Sequence, residues 1–326
     1  MVAEIEKVKV AVVQAAPVFL DRDATVGKAC ALVEQAADEG AGLVVFAEAF
    51  VPGYPEWVWR LRPWEVRAEA LYARLFDQAV VIGDSATAAL SAAARRAGCY
   101  VSIGVNEREA RGSTLFDTQL CFGPTGALVG AHRKLVPTGA ERLVWGMGDG
   151  SSLAVVDTPF GRLGGLTSWE NYMPLARMAL YEQGIDVYVA PTWDNSDMWV
   201  PTLRHIAKEG RVYVVGASFW ARPSDIPAEV PFRDELYATG EALLSGGVSA
   251  IVSPYGEVLA GPLEDEEGLL FADLDIETAR ASRHQFDVAG HFSRPDLLRL
   301  ATGPWDGRPG RLLPPPPTGP AQSAGG

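Results

Sequence analysis

Short apolar runs alternate along this chain with longer stretches in which apolar residues recur every three to four positions. Residues 8–15, Val-Lys-Val-Ala-Val-Val-Gln-Ala, read as a strand. Residues 23–38 read as a helix, with small and apolar residues at helical spacing and acids and a lysine between them. The continuous run 42–47, Gly-Leu-Val-Val-Phe-Ala, suits a strand buried on both faces. An alanine-rich helix is predicted over 85–97 and a strand over 100–105. Hairpins follow. Residues 115–122 and 127–133 flank the turn Gly123-Pro124-Thr125-Gly126. A second hairpin is expected over 153–167, turning at Pro159-Phe160-Gly161, and a third over 248–259, turning at Pro254-Tyr255-Gly256. Between them the pattern predicts helices over 172–183 and 202–209 and strands over 187–190 and 212–217. Crossover units mixed with hairpins imply an α/β fold whose mixed sheets are covered by helices. A four-layer α-β-β-α sandwich would bury this many apolar strands.

Composition narrows the picture. Of 326 residues, 48% are apolar, enough for one sizeable core. We assign residues 1–302 to a single domain. Residues 303–326, with Pro314-Pro315-Pro316-Pro317, read as a Pro/Gly-rich extended or disordered tail that buries too little to offset ordering. The acidic run 264–267 reads as a solvated loop. A net charge of −13 argues against nucleic acid or an anionic membrane as partner. The first residues mix both charges, unlike a signal peptide. No apolar run approaches the ~20 residues that span a bilayer. Three scattered cysteines, Cys30, Cys99 and Cys121, suit a reducing cytoplasm. None has zinc-ligand spacing, and no metal or organic cofactor is expected.

Three places break the pattern. Glu48 directly follows a buried-looking strand, at the carboxyl end where α/β folds place ligands and catalytic groups. Burial there would raise its pKa and make it a usable proton acceptor; the competing reading is a strand-end acid facing water. Lys134 ends a hairpin strand, and Glu141 follows on a loop that Pro137 and Gly139 keep from being helical. Such a lysine could stabilise a developing anion, or simply form a surface ion pair. Ser168, in Gly164-Gly165-Leu166-Thr167-Ser168-Trp169-Glu170, lies where a strand turns into a helix, with Pro174 in the helix's first turn. A hydroxyl there would sit beside free backbone N–H groups, as a nucleophile near an oxyanion site or as an ordinary helix cap.

Longer segments around these residues resemble the nitrilase superfamily, and within it the nitrilase branch. They are Val45-Phe46-Ala47-Glu48-Ala49-Phe50-Val51-Pro52-Gly53-Tyr54-Pro55, then His132-Arg133-Lys134-Leu135-Val136-Pro137-Thr138-Gly139-Ala140-Glu141-Arg142 running on to Trp145-Gly146-Met147-Gly148-Asp149-Gly150, and Trp169-Glu170-Asn171-Tyr172-Met173-Pro174-Leu175-Ala176-Arg177. Ala190-Pro191-Thr192-Trp193, Pro254-Tyr255-Gly256 and Phe286-Asp287-Val288-Ala289-Gly290-His291 add to the match, which covers residues 7–300. The resemblance implies a Glu–Lys–Cys triad. Glu48 falls on the general base, Lys134 on the charge-stabilising lysine and Glu141 on a second glutamate of the site. Ser168 falls on the nucleophile, where the family has cysteine. Homodimers or larger homo-oligomers, including spirals, are also implied, with 286–296 and the tail as interface candidates.

In the family, a thiolate attacks an organic nitrile. A thioimidate and then an acyl-enzyme lead to carboxylic acid and ammonia. A serine hydroxyl is far less acidic than a thiol, and the base here is a carboxylate, so Ser168 is expected to be nearly inert. The changed atom reads most simply as an inactivating Cys-to-Ser variant; a natural pseudoenzyme is the rival account. An amidase, a cyanide-converting relative and a non-catalytic scaffold are the alternatives. A serine hydrolase using one of the four histidines lacks a Gly-x-Ser-x-Gly elbow. Tyr54, Trp169, Trp145 and Trp193 are the candidates for lining a pocket for the nitrile substituent.

Overall fold

A computed structural model describes residues 7–237 and 243–303. Its strands are β1 (Val8–Gln14), β2 (Leu43–Phe46), β3 (Tyr100–Arg108), β4 (Leu115–Phe122), β5 (Leu128–Arg133), β6 (Val156–Thr158) and β7 (Gly161–Gly165). They continue with β8 (Val187–Val189), β9 (Tyr213–Gly216), β10 (Trp220–Ala221), β11 (Ser245–Gly246), β12 (Ser249–Val252), β13 (Val258–Leu263) and β14 (Gly268–Leu274). The helices are α1 (Arg22–Asp38), α2 (Val66–Gln78), α3 (Ser85–Ala97), α4 (Pro174–Tyr181), α5 (Trp199–Gly210), α6 (Arg233–Tyr237) and α7 (Ile276–Ser282). Asp21 and Asp84 cap α1 and α3 by accepting from the N–H groups of Ala24 and Thr87.

Two six-stranded sheets form the centre, in the orders β14-β1-β2-β3-β4-β5 and β13-β12-β9-β8-β7-β6. In each, three central strands are parallel and the outer strands antiparallel. Period-two alternation sorts the side chains. Val44 and Phe46 face outward with Val33 and Ala36 of α1 and Leu90 and Ala94 of α3. Leu43 and Val45 face inward against Val187, Val189, Val215 and Ile251 of the second sheet. The outer face of that sheet, through Tyr188, Val214 and Ala250, packs on Leu180 of α4 and on Leu203 and Ile206 of α5. The result is the expected α-β-β-α layering.

The strand directions put several chain segments at one end of the sandwich. β2 and β3 run parallel, β4 turns back, and β5 runs with β3 again. The carboxyl ends of β2 and β5 and the start of β4 therefore lie together. Glu48 follows the first, Lys134 the second, and Asp117 is third in β4.

Some elements had no clear apolar signal. α2 is charged at its start and buries only Leu71 and Leu75 along one stripe. β14 lies at a sheet edge and is mostly half-buried, so its pattern is diluted. It begins directly after the acidic run, whose Glu267 pairs with Lys28. The predicted helix over 172–183 is shorter, because residues Ser168–Tyr172 form a 3-10 turn and the α-helix starts at Pro174. The tail from residue 304 lies outside the described residues.

Leu43 is fully buried between the sheets. Leu43→Ala should cost about 2–5 kcal/mol in denaturant unfolding, whereas exposed Leu298→Ala should stay within about 0.5 kcal/mol.

Candidate active site

Glu48 leaves β2 on a turn that needs unusual room. Ala49 has φ +47°, and on the neighbouring strand a Cβ at Gly104 would collide with the main chain of Ala47 and Ala49. The side chains of Glu48 and Lys134 are 0% exposed. The Lys134 ammonium donates to Glu141 Oε2 at 2.8 Å and to Glu48 Oε2 at 3.1 Å, and lies 3.5 Å from Asp117 Oδ2. Burial by itself pushes the Lys134 pKa down, but the three carboxyl groups outweigh it and hold the group firmly protonated. Burial raises the pKa of Glu48, and Lys134 opposes that rise. The carboxylate stays anchored at its other oxygen, where Trp193 N–H donates to Oε1 at 2.5 Å. Glu141 accepts from Tyr54 OH at 2.7 Å and from Thr138 N–H at 2.6 Å as well as from Lys134.

Ser168 comes from the other sheet. β7 runs so close to β8 that a Cβ at Gly165 would strike the Val189 carbonyl, so only glycine fits. Three residues on, Ser168 is held at φ +52°, a strained conformation for a non-glycine residue. Its own N–H donates to Pro191 O at 2.8 Å. Its hydroxyl is 3.2 Å from Thr192 Oγ1. Thr192 directly precedes Trp193, whose N–H holds Glu48. The helix-cap alternative does not apply, since Thr167 occupies the cap position.

A family model of carbon-nitrogen hydrolases matches residues 9–284. The chain belongs to the carbon-nitrogen hydrolase family. It is 46% identical over 299 residues to an aliphatic nitrilase of Sinorhizobium fredii, covering 90% of this chain and 95% of that one. It is 40% identical over 298 residues to a bifunctional nitrilase/nitrile hydratase of Nicotiana tabacum, covering 90% and 85%. The fold is similar to that of Saccharomyces cerevisiae Nit3, a member of branch 10 of the nitrilase superfamily. That match has a TM-score of 0.70 at 20% identity and covers 90% of this chain and 99% of that chain.

In this carbon-nitrogen hydrolase three of the four aromatic candidates gather beside the charged cluster. Tyr54 stacks on Trp193 with ring centroids 4.8 Å apart and meets Trp145 edge-on at 5.5 Å. Lys134 Nζ lies 5.4 Å from the centre of the Trp145 ring. Trp169 does not join them. It is 51% exposed, packs edge-on against Tyr172 and donates to Asp194 Oδ2 at 2.8 Å.

Two acids escaped the sequence reading as site residues. Asp117 is buried beside Lys134; the available signal was an acid in a strand that begins and ends with apolar residues. Glu170 links the two halves of the site. Its carboxylate accepts from Leu135 N–H at 2.6 Å and from Thr167 N–H at 2.9 Å, so it ties the residue after Lys134 to the residue before Ser168. His132 Nε2 lies 3.0 Å from the same carboxylate, a structural contact and not a base aimed at Ser168. Burial pushes the Glu170 pKa up, but His132 and the two N–H donors prevail and hold it low.

Lys134→Met would leave buried carboxylates without their cation. The expected loss is about 3–5 kcal/mol at neutral pH. Because the folded-state pKa of Glu48 is raised, its penalty is absent in acid and grows as pH climbs past the ordinary carboxylate range. Urea unfolding across pH should therefore show the deficit shrinking toward acid, and a pH-independent deficit would contradict this electrostatic account.

Proposed function

We propose that this chain carries the framework for hydrolysing an organic nitrile to a carboxylic acid and ammonia, with Ser168 in the nucleophile's place. The observation that carries the reading is the buried Glu48–Lys134 pair, joined through Trp193 to the segment that touches the Ser168 hydroxyl. The relatives named as nitrilases support nitriles as the substrate class.

With cysteine at 168, Glu48 would accept the thiol proton while sulfur bonds to the nitrile carbon. The nitrogen takes up a proton, giving a thioimidate. One water adds to that carbon and ammonia departs, leaving a thioester. A second water breaks the C–S bond, releasing acid and restoring the thiol. Lys134 would stabilise charge building first on nitrogen and then on oxygen. Tyr54, Trp145 and Trp193 offer apolar surface to the substituent, and half-exposed Trp169 stands outside that group.

With Ser168, the first step stalls. The hydroxyl holds its proton far more tightly than a thiol, and a carboxylate is a weak base for removing it. Ser168 favours one second reading, in which the chain binds its ligand without turnover. Free Cys30, Cys99 and Cys121 are compatible with a reducing cytoplasm. Exposed Phe292, Leu297 and Leu298 support self-association through the segment after α7.

Ser168→Cys should release ammonia from at least one member of a nitrile panel, at a rate roughly three or more orders of magnitude above that of the Ser168 chain. Adding Glu48→Gln or Lys134→Met should abolish it. A Ser168→Cys protein that folds but is silent on aliphatic and aromatic nitriles alike would remove the nitrilase assignment; ligand binding without turnover would then leave the binding-only reading. Separately, replacing Leu297 and Leu298 by serine should lower the sedimentation coefficient if this segment joins subunits.

A further inference from the structure

We propose that Asp117 holds a proton at neutral pH and donates it as a hydrogen bond to Glu48, fixing that carboxylate's charge and orientation. The tuning of a base rests on the reading of Glu48 given above; the protonation of Asp117 does not.

Asp117 sits near the start of β4, and its main-chain oxygen accepts the Lys134 N–H at 2.8 Å. Its side chain is 0% exposed, and neither carboxyl oxygen has a hydrogen-bond donor among the described residues. The nearest cation, Lys134 Nζ, is 3.5 Å away and already makes shorter contacts to Glu141 and Glu48. Asn106 is its partner across the β3–β4 ladder, but cannot help. The Asn106 amide donates to the main-chain oxygens of Val51 and Gly53, and its oxygen accepts from Trp145 Nε1. Of the other charged residues on β3 and β5, Glu107 and Arg133 pair with each other, and Arg108 donates to Phe76 O at 3.3 Å and lies over the Phe76 ring. Strand alternation puts Glu107 on the opposite face.

The three carboxyl groups around Lys134 are therefore unequal. Glu141 has three donors and Glu48 has two, so both have partners for a negative charge. An ionised Asp117 would have no hydrogen-bond donor and only the more distant side of an ammonium already engaged by Glu141 and Glu48, and a buried charge so poorly compensated gives way to the neutral form. Burial first, then Glu48 and Glu141, push the Asp117 pKa well above the ordinary aspartate range against the pull of Lys134. Once protonated, Asp117 has a donor of its own, and the Glu48 carboxylate, held at 3.1 Å on the same Lys134 ammonium that lies 3.5 Å from Asp117, is the acceptor we assign to it. A carboxylic acid kept neutral by its apolar site so that it can donate is an established device for tuning charged groups. Here it would lower the proton affinity of Glu48 and add a third tether to it.

Infrared spectroscopy of the folded native chain tests this without any turnover, so failure of the nitrile reading leaves it interpretable. At neutral pH the native chain should show a carbonyl band from a protonated carboxyl group. Isotope-labelled aspartate should shift that band, with no mutation needed. Asp117→Asn should remove the band, and Glu48→Gln should move it by changing the acceptor. Relative to the native chain, the Tm of Asp117→Asn should rise from acid to alkaline pH. The reason is the sign of the shift: a raised folded-state pKa means that the stability contributed by Asp117 is lost as pH increases, and asparagine has no such loss. Absence of the band, a band insensitive to labelled aspartate, or a band unchanged in Asp117→Asn would each overturn the proposal.

Discussion

Lys134 places its ammonium among carboxyl groups that are buried almost completely. Each member would be costly to bury alone, and together they are held by mutual attraction and by main-chain N–H groups. The arrangement demands that the ends of β2 and β5 and the start of β4 stay in register. The site therefore inherits its precision from the ladder of the first sheet. The same interdependence makes the cluster intolerant of losing its single cation.

The second sheet must meet the first for the segment around Ser168 to be tied to the cluster. Contact is made by the apolar layer between the sheets, by Trp193 N–H on Glu48, and by Glu170 bridging Leu135 and Thr167. These links join segments more than thirty residues apart in sequence. Glycines at 104 and 165 let the main chain approach closely at both halves, and the left-handed Ala49 and Ser168 carry the strain that such turns impose. Such strain persists only where surrounding contacts determine the conformation, which they do on both sides here.

Against that background the Ser168 hydroxyl takes no part in the charge network. Its contacts are to Pro191 and Thr192, and no member of the cluster depends on the acidity of residue 168 for its own partner. Binding geometry and proton chemistry are thus separable in this fold.

The strands and helices with strong apolar periodicity were legible from the chain alone, including all three hairpins, because burial on one or both faces leaves a repeating signal. Edge strand β14 and the charged helix α2 were not, since half-burial dilutes that signal. Glu48 could be picked out as an acid ending an apolar run, and Lys134 and Glu141 as charges at a strand end and on the loop after it, with their role suggested by resemblance. Asp117 and Glu170 could not be assigned partners, because hydrogen bonding between segments 17 to 69 positions apart leaves no local pattern. The surface position of Trp169 was equally hidden, as an aromatic residue's orientation follows from the turn that carries it. Residue order determined the periodicities, the glycine-dependent turns and the identity of the reactive atoms. Only the packing of the folded chain decided which charges are buried together and which main-chain groups hold them, because burial and distance, which set both, exist only there.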